Sequence, residues 1–127
     1  MRFLLDTHAI IWYVEDSLEL PKQITRIIDN PENEIYISSV SLWEIALKVS
    51  LGKLDLRLPL DEFFMNIRSR DFTFLQIEDE YLNRLLGLPF VHKDPFDRLI
   101  ISSALAEGLT IMTTDENIKK YDVSCIW

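Results

Sequence analysis

The sequence predicts an α/β protein: a short central parallel sheet of four or five strands, flanked by helices. Three observations carry this. Short apolar runs rich in β-branched and aromatic residues alternate along the chain with stretches of helical spacing. That alternation implies parallel pairing of the strands through right-handed crossovers. No internal repeat, low-complexity segment or linker divides the 127 residues, so the chain reads as one domain over 1–127.

Taken in order, "RFLLD" is an apolar run ending on an acid, which suits a buried strand that delivers Asp6 at its end. "THAIIWYVE" has helical spacing, with Ile10, Ile11 and Val14 on one side. "LPKQITRIIDNPEN" is a helix with proline near its start and an Ile24, Ile27 and Ile28 stripe; Asn30-Pro31 stops it. "EIYISS" (34–39) reads as a second buried strand. In "SLWEIALKVSLGK", Ser41 is a good N-cap, Glu44 sits at the capping-box distance and Gly52 ends the helix. "LPLDEFFMNIRSR" is a helix with Phe63, Phe64 and Ile67 as its core stripe, and "FTFLQI" a strand. "DEYLNRLLGLP" is a helix closed by Gly87 and Pro89. "HKDPFDRLIISSALAEG" (92–108) contributes another, "LTIMTTD" a strand ending at Asp115, and "VSCIW" a final strand that would bury Cys125 as inert core.

Bulk composition narrows the function. Hydrophobic residues make up 48% and charged residues 27%, an ordinary globular balance. A single cysteine excludes an intrachain disulfide framework and suits a reducing cytoplasm. The amino-terminal run is broken by Asp6 and lacks a signal-peptide pattern, and no stretch approaches the ~20 apolar residues needed to span a bilayer. A soluble cytoplasmic protein with no membrane partner is expected. The net charge of -8 argues against gripping nucleic acid by charge alone. Either the partner is cationic, or acids converge on metal ions that invert the local charge.

The placement of the acids favours the second choice. Asp6 and Asp115 follow strands, and Glu44 lies early in the helix after a strand. Asp97 lies in the first turn of the helix before the "LTIMTTD" strand. All four segments begin or end at the carboxyl edge of the sheet, where ligands of parallel α/β proteins bind. Clustered carboxylates raise one another's pKa values unless a cation sits among them. Oxygen ligands select hard ions such as Mg²⁺ or Mn²⁺, which activate water and stabilise charge on a phosphate.

These same segments carry a resemblance. "LLDTHAIIW", "ISSVSLWEIALK", "HKDPFDRLIISSALAEGLTIMTTD" and "VSCIW" resemble the PIN-domain family, and more narrowly the VapC-type toxins of bacterial toxin–antitoxin pairs. The match runs over essentially the whole chain, in order and with its spacing intact. The resemblance implies a three-layer α/β/α sandwich and Mg²⁺- or Mn²⁺-dependent endoribonuclease activity. It places the family's acidic quartet on Asp6, Glu44, Asp97 and Asp115, and its neighbouring hydroxyl on Thr113. It further implies an RNA substrate, a VapB-like antitoxin partner and a homodimer.

Plainer roles compete at each position. Asp6 and Asp115 could cap the elements that follow them, and Glu44 could complete a capping box. In "DPFD", Asp94 before Pro95 reads as the N-cap, and Asp97 as the ligand on the face above Ile101 and Ala104. Arg98 and Lys93 are candidates to neutralise substrate phosphate, although Arg98 could equally pair with a carboxylate. His92 and His8 could contact phosphate or act as acids, or simply pack. Trp12 and Trp43 suit core or partner contacts better than base stacking.

Two rival functions stand beside the nuclease. "LLDTH" has a superficial likeness to phosphotransferases with an aspartate nucleophile, but those carry a second acid where this chain has His8. A non-catalytic PIN-like module that binds RNA or protein is the other, and the intact acidic quartet argues against it.

Overall fold

The chain alternates as its apolar runs require. β1 (Arg2–Leu5) leads into α1 (Thr7–Val14) and α2 (Lys22–Asp29). β2 (Glu34–Ser38) leads into α3 (Ser39–Ser50) and α4 (Leu60–Arg68). β3 (Thr73–Leu75) precedes α5 (Asp79–Arg84), a 3₁₀ turn at Leu85–Gly87 and α6 (Pro95–Glu107). β4 (Thr110–Met112), α7 (Glu116–Lys119) and β5 (Cys125–Ile126) complete the computed structural model, which describes residues 1–127.

All five strands pair in parallel, in the order β3-β2-β1-β4-β5, so the expected α/β class and strand number hold. The inner strands β1 and β2 are buried on both faces after their first residue, because helices cover both. In β1, Phe3 and Leu5 point into one core with Ile10, Ile24, Ile45, Phe63 and Ile67. Leu4, between them, points into the other with Ile100, Ile101, Ala104 and Ile118. The period of two thus splits the interior into the two halves of a three-layer sandwich.

The strand order sets where a ligand can bind. From β1 the chain moves outward through β2 to β3, then returns to place β4 on the other side of β1. The sheet therefore has its topological switch point between β1 and β4, where the loops part and leave a crevice beyond the strand ends. Asp6 follows β1 directly, and Asp115 lies three residues past β4.

Several local expectations need correction. α3 starts two residues before the expected cap: Ser38 is the N-cap, its Oγ accepting the Val40 N–H at 3.1 Å. Ser41 lies inside the helix, so Glu44 completes no capping box with it. The reason is that β2 feeds straight into α3 and its last residue, itself a serine, takes the cap. The "DEYLNRLLGLP" helix tightens to 3₁₀ after Arg84, and "FTFLQI" contributes only three paired residues. Cys125 lies on the short edge strand β5 and is half-buried rather than core. No helix is long and apolar enough to cross a membrane.

Candidate active site

Asp6 stands at the carboxyl end of β1, beside β4. It leaves β1 in extended conformation and its Oδ1 accepts the Thr7 N–H at 2.8 Å, starting α1. Its Oδ2 accepts the Thr113 hydroxyl at 2.7 Å, across the β1–β4 boundary. Thr113 Oγ1 in turn accepts the Asp115 N–H at 2.9 Å, so one hydroxyl ties together the two strand-end acids. With 6% of its surface exposed, Asp6 has its pKa raised above the usual carboxylate range. Burial is the main cause; the hydrogen bonds from Thr113 and Thr7 oppose it, and Glu44 adds repulsion.

Glu44, 3% exposed, reaches the same place from α3. Its Oε1 accepts the Thr7 hydroxyl at 2.6 Å, and its Oε2 takes the Lys48 ammonium at 2.6 Å. Ser41 Oγ lies 3.1 Å from the same Thr7 hydroxyl oxygen, which places the supposed cap in the wall of the site. Lys48 escaped notice in the sequence although a Glu-to-Lys spacing of four on one helix face is a readable signal. Its own pKa is raised: burial acts against that, but the Glu44 carboxylate outweighs it, aided by Asp94 and Asp97.

Asp97 enters from the first turn of α6. Asp94 is the N-cap there, its Oδ1 accepting the Asp97 N–H at 3.0 Å with Pro95 in the first turn. The Asp97 side chain lies 2.9 Å, through Oδ2, from His92 Nε2. Burial pushes its pKa up to about 7; the His92 contact pulls it down, and Asp94, Asp6 and Asp115 push it further up. That mutual repulsion shows that acids from three elements share one electrostatic neighbourhood. Asp115 is half-buried and caps α7, with Oδ1 accepting the Asn117 N–H at 2.7 Å.

The other candidates fall differently. Arg98, expected to face phosphate or a carboxylate, is 5% exposed and spends its guanidinium on Pro89 O, Leu88 O and the Tyr121 hydroxyl. One position after Asp97 on a helix, it points about 100° away, into the protein. Both ring nitrogens of His92 are engaged inside the chain. Lys93 is exposed. His8 is exposed on α1 and packs its ring against Trp12. Trp43 is 58% exposed and meets Phe96 edge-on.

The donor set suits a hard cation: four carboxylates, oxygen only, two of them carrying charge at a cost that a cation would remove. In their present rotamers no three of these side chains stand close enough to ligate one ion. Lys48, His92 and the two threonine hydroxyls hold these carboxylates instead.

Comparison with known proteins places this geometry. Residues 3–124 match the PIN domain, and the chain belongs to that family. Ribonuclease VapC22 of Mycobacterium tuberculosis is 23% identical over 119 residues, covering 93% of this chain and 90% of its own. Among solved structures, VapBC2 from Rickettsia felis bound to a promoter DNA fragment superposes with a TM-score of 0.74 at 18% identity, covering 99% of this chain and 98% of its own. VapBC-5 from M. tuberculosis, of the VapBC family of toxin–antitoxin systems, gives 0.62 at 16%, covering 98% and 93%. The structural likeness establishes the shared fold.

Proposed function

We propose that this protein is a metal-dependent endoribonuclease and the toxin of a VapBC-type toxin–antitoxin pair. The observation that carries the reading is the convergence of Asp6, Glu44, Asp97 and Asp115, from four segments, at the switch-point crevice of a PIN-family chain. The relative VapC22 is a ribonuclease, and several solved relatives are VapBC pairs, which supports RNA as substrate and a VapB-like antitoxin as partner. A homodimer in the cytoplasm belongs to the same reading.

Asp6, Asp97 and Asp115, with Glu44 beside them, would hold Mg²⁺ or Mn²⁺, which supplies activation of water and charge neutralisation at the scissile phosphate. The chain's own residues do the rest. Thr113 locks one oxygen of Asp6 and the backbone of Asp115, so both strand-end acids keep their aim as RNA enters. Thr7 steadies Glu44 from the opposite side. Lys48 is the cation closest to the acids and, once released by Glu44, is placed to meet a phosphate oxygen. Arg98 is not available for that role.

RNA cleavage by the purified chain should require Mg²⁺ or Mn²⁺, stop in excess EDTA, and fall to background in Asp6→Asn. Cleavage that persists in EDTA overturns the metal mechanism. RNA binding without cleavage under any divalent metal would replace the nuclease with a non-catalytic PIN-like module.

A further inference from the structure

Asp97 is backed by a chain of polar side chains, His92, Tyr121 and Arg98, that runs into the protein. Arg98 Nη1 donates to the Tyr121 hydroxyl oxygen at 3.0 Å. A guanidinium has no lone pair to offer and keeps its protons, so the direction of this bond is fixed. The His92 backbone N–H donates to the same oxygen at 3.3 Å. Two donors fill the acceptor capacity of the phenol, whose own hydrogen must go elsewhere. The acceptors within reach are His92 Nδ1 at 2.8 Å and His92 O at 3.4 Å, and the nearer is the ring nitrogen.

Nδ1 therefore accepts, and the ring hydrogen belongs on Nε2, which faces Asp97 Oδ2 at 2.9 Å. The opposite tautomer fails because it would press a third donor onto the Tyr121 oxygen. The His92 and Tyr121 rings also meet edge-on, with centroids 5.4 Å apart, which fixes the imidazole plane.

From this geometry we propose that Arg98, Tyr121 and His92 form a one-way donor relay that makes His92 the positioning residue of Asp97, committing Oδ2 to the imidazole and reserving Oδ1 for a cation. The proposal rests on the reading of Asp97 as a metal ligand. It also explains why a nuclease would bury an arginine beside its site and aim it inward: the fixed charge at the far end of the relay orients every bond up to the carboxylate. Partners of this kind typically matter 10- to 100-fold to metal affinity, roughly as much as a weak ligand.

Two measurements on the full chain test it. In ¹⁵N NMR of the metal-free protein, His92 should show an unprotonated Nδ1 and a protonated Nε2, and Tyr121→Phe should abolish that preference. In calorimetric titration with Mn²⁺, His92→Ala should bind roughly 10- to 100-fold more weakly than wild type. His92→Gln, whose amide N–H can still reach Oδ2, should recover part of the loss, with circular dichroism reporting that both variants keep the fold. A protonated Nδ1 in the wild type, or unchanged Mn²⁺ affinity in folded His92→Ala, overturns the relay and leaves the metal centre standing. Failure of the wild type to bind Mn²⁺ overturns both.

Discussion

Within "DPFD" two aspartates three residues apart do different work. Asp94 satisfies the amino end of α6, while Asp97, on the same turn, turns its carboxylate towards His92 and the other acids. Asparagine caps a helix about as well as aspartate, so Asp94→Asn should shift stability by only a few tenths of a kcal/mol, within about 0.5. It should also leave RNA cleavage near wild type. Asp97→Asn should retain the fold and cut cleavage by about 100-fold or more. Parallel thermal melts and cleavage rates decide; the reverse pattern would exchange the two roles. The division was legible in the sequence because a proline after an acid marks the first helical turn. What stayed hidden was the set of partners. Nothing local says that Arg98 turns to Tyr121, because that bond joins residues 23 positions apart.

At the scale of the element, strands and helices announced themselves by period, and their edges did not. The α3 start was misplaced because Ser38, Ser39 and Ser41 are all competent caps, and the choice among them belongs to where β2 stops pairing. With that start goes the apparent capping role of Glu44, whose true partners are Thr7 on α1 and Lys48 on its own helix. The end of α6 was readable: Gly108 closes it with φ +66. A Cβ there would meet nothing within 4 Å, so only backbone strain opposes a side chain. Gly108→Ala should therefore destabilise by about 1 kcal/mol, the cost of a left-handed alanine. Chemical denaturation would measure it, and a loss near zero would mean that the helix end relaxes. Replacement of Ser38 by alanine should cost a similar ~1 kcal/mol through its lost cap.

For the molecule as a whole, Asp6 and Asp97 are a stability liability. Asp97 has a folded pKa near 7 against an ordinary value of 3.8, and that of Asp6 is raised as well. A raised acid binds its proton more tightly folded than unfolded, so its contribution is complete below about pH 4 and is lost as pH climbs through 7. In EDTA, the Tm of the wild type should fall relative to that of Asp97→Asn between pH 4 and pH 7.5. Added Mn²⁺ should restore the wild type near neutral pH and do little for the variant. A Tm difference that stays flat with pH would show that Asp97 ionises freely in the folded protein. The class of the sheet was visible in the sequence, but the switch point was not, because strand order is decided by packing between distant elements. Proposing the four acids did not need it, since Asp6 and Asp115 follow strands and Glu44 and Asp97 lie within the first two turns of helices.

The claim on which most depends is that these acids hold a divalent cation at the crevice between β1 and β4. Crystals of the protein soaked in Mn²⁺ and measured at an anomalous wavelength test it most directly. A strong anomalous peak within about 2.5 Å of carboxylate oxygens of Asp6, Asp97 or Asp115, with Lys48 displaced from Glu44, is the predicted result. Full Mn²⁺ concentration with no peak there, and Glu44 still paired to Lys48, would contradict it.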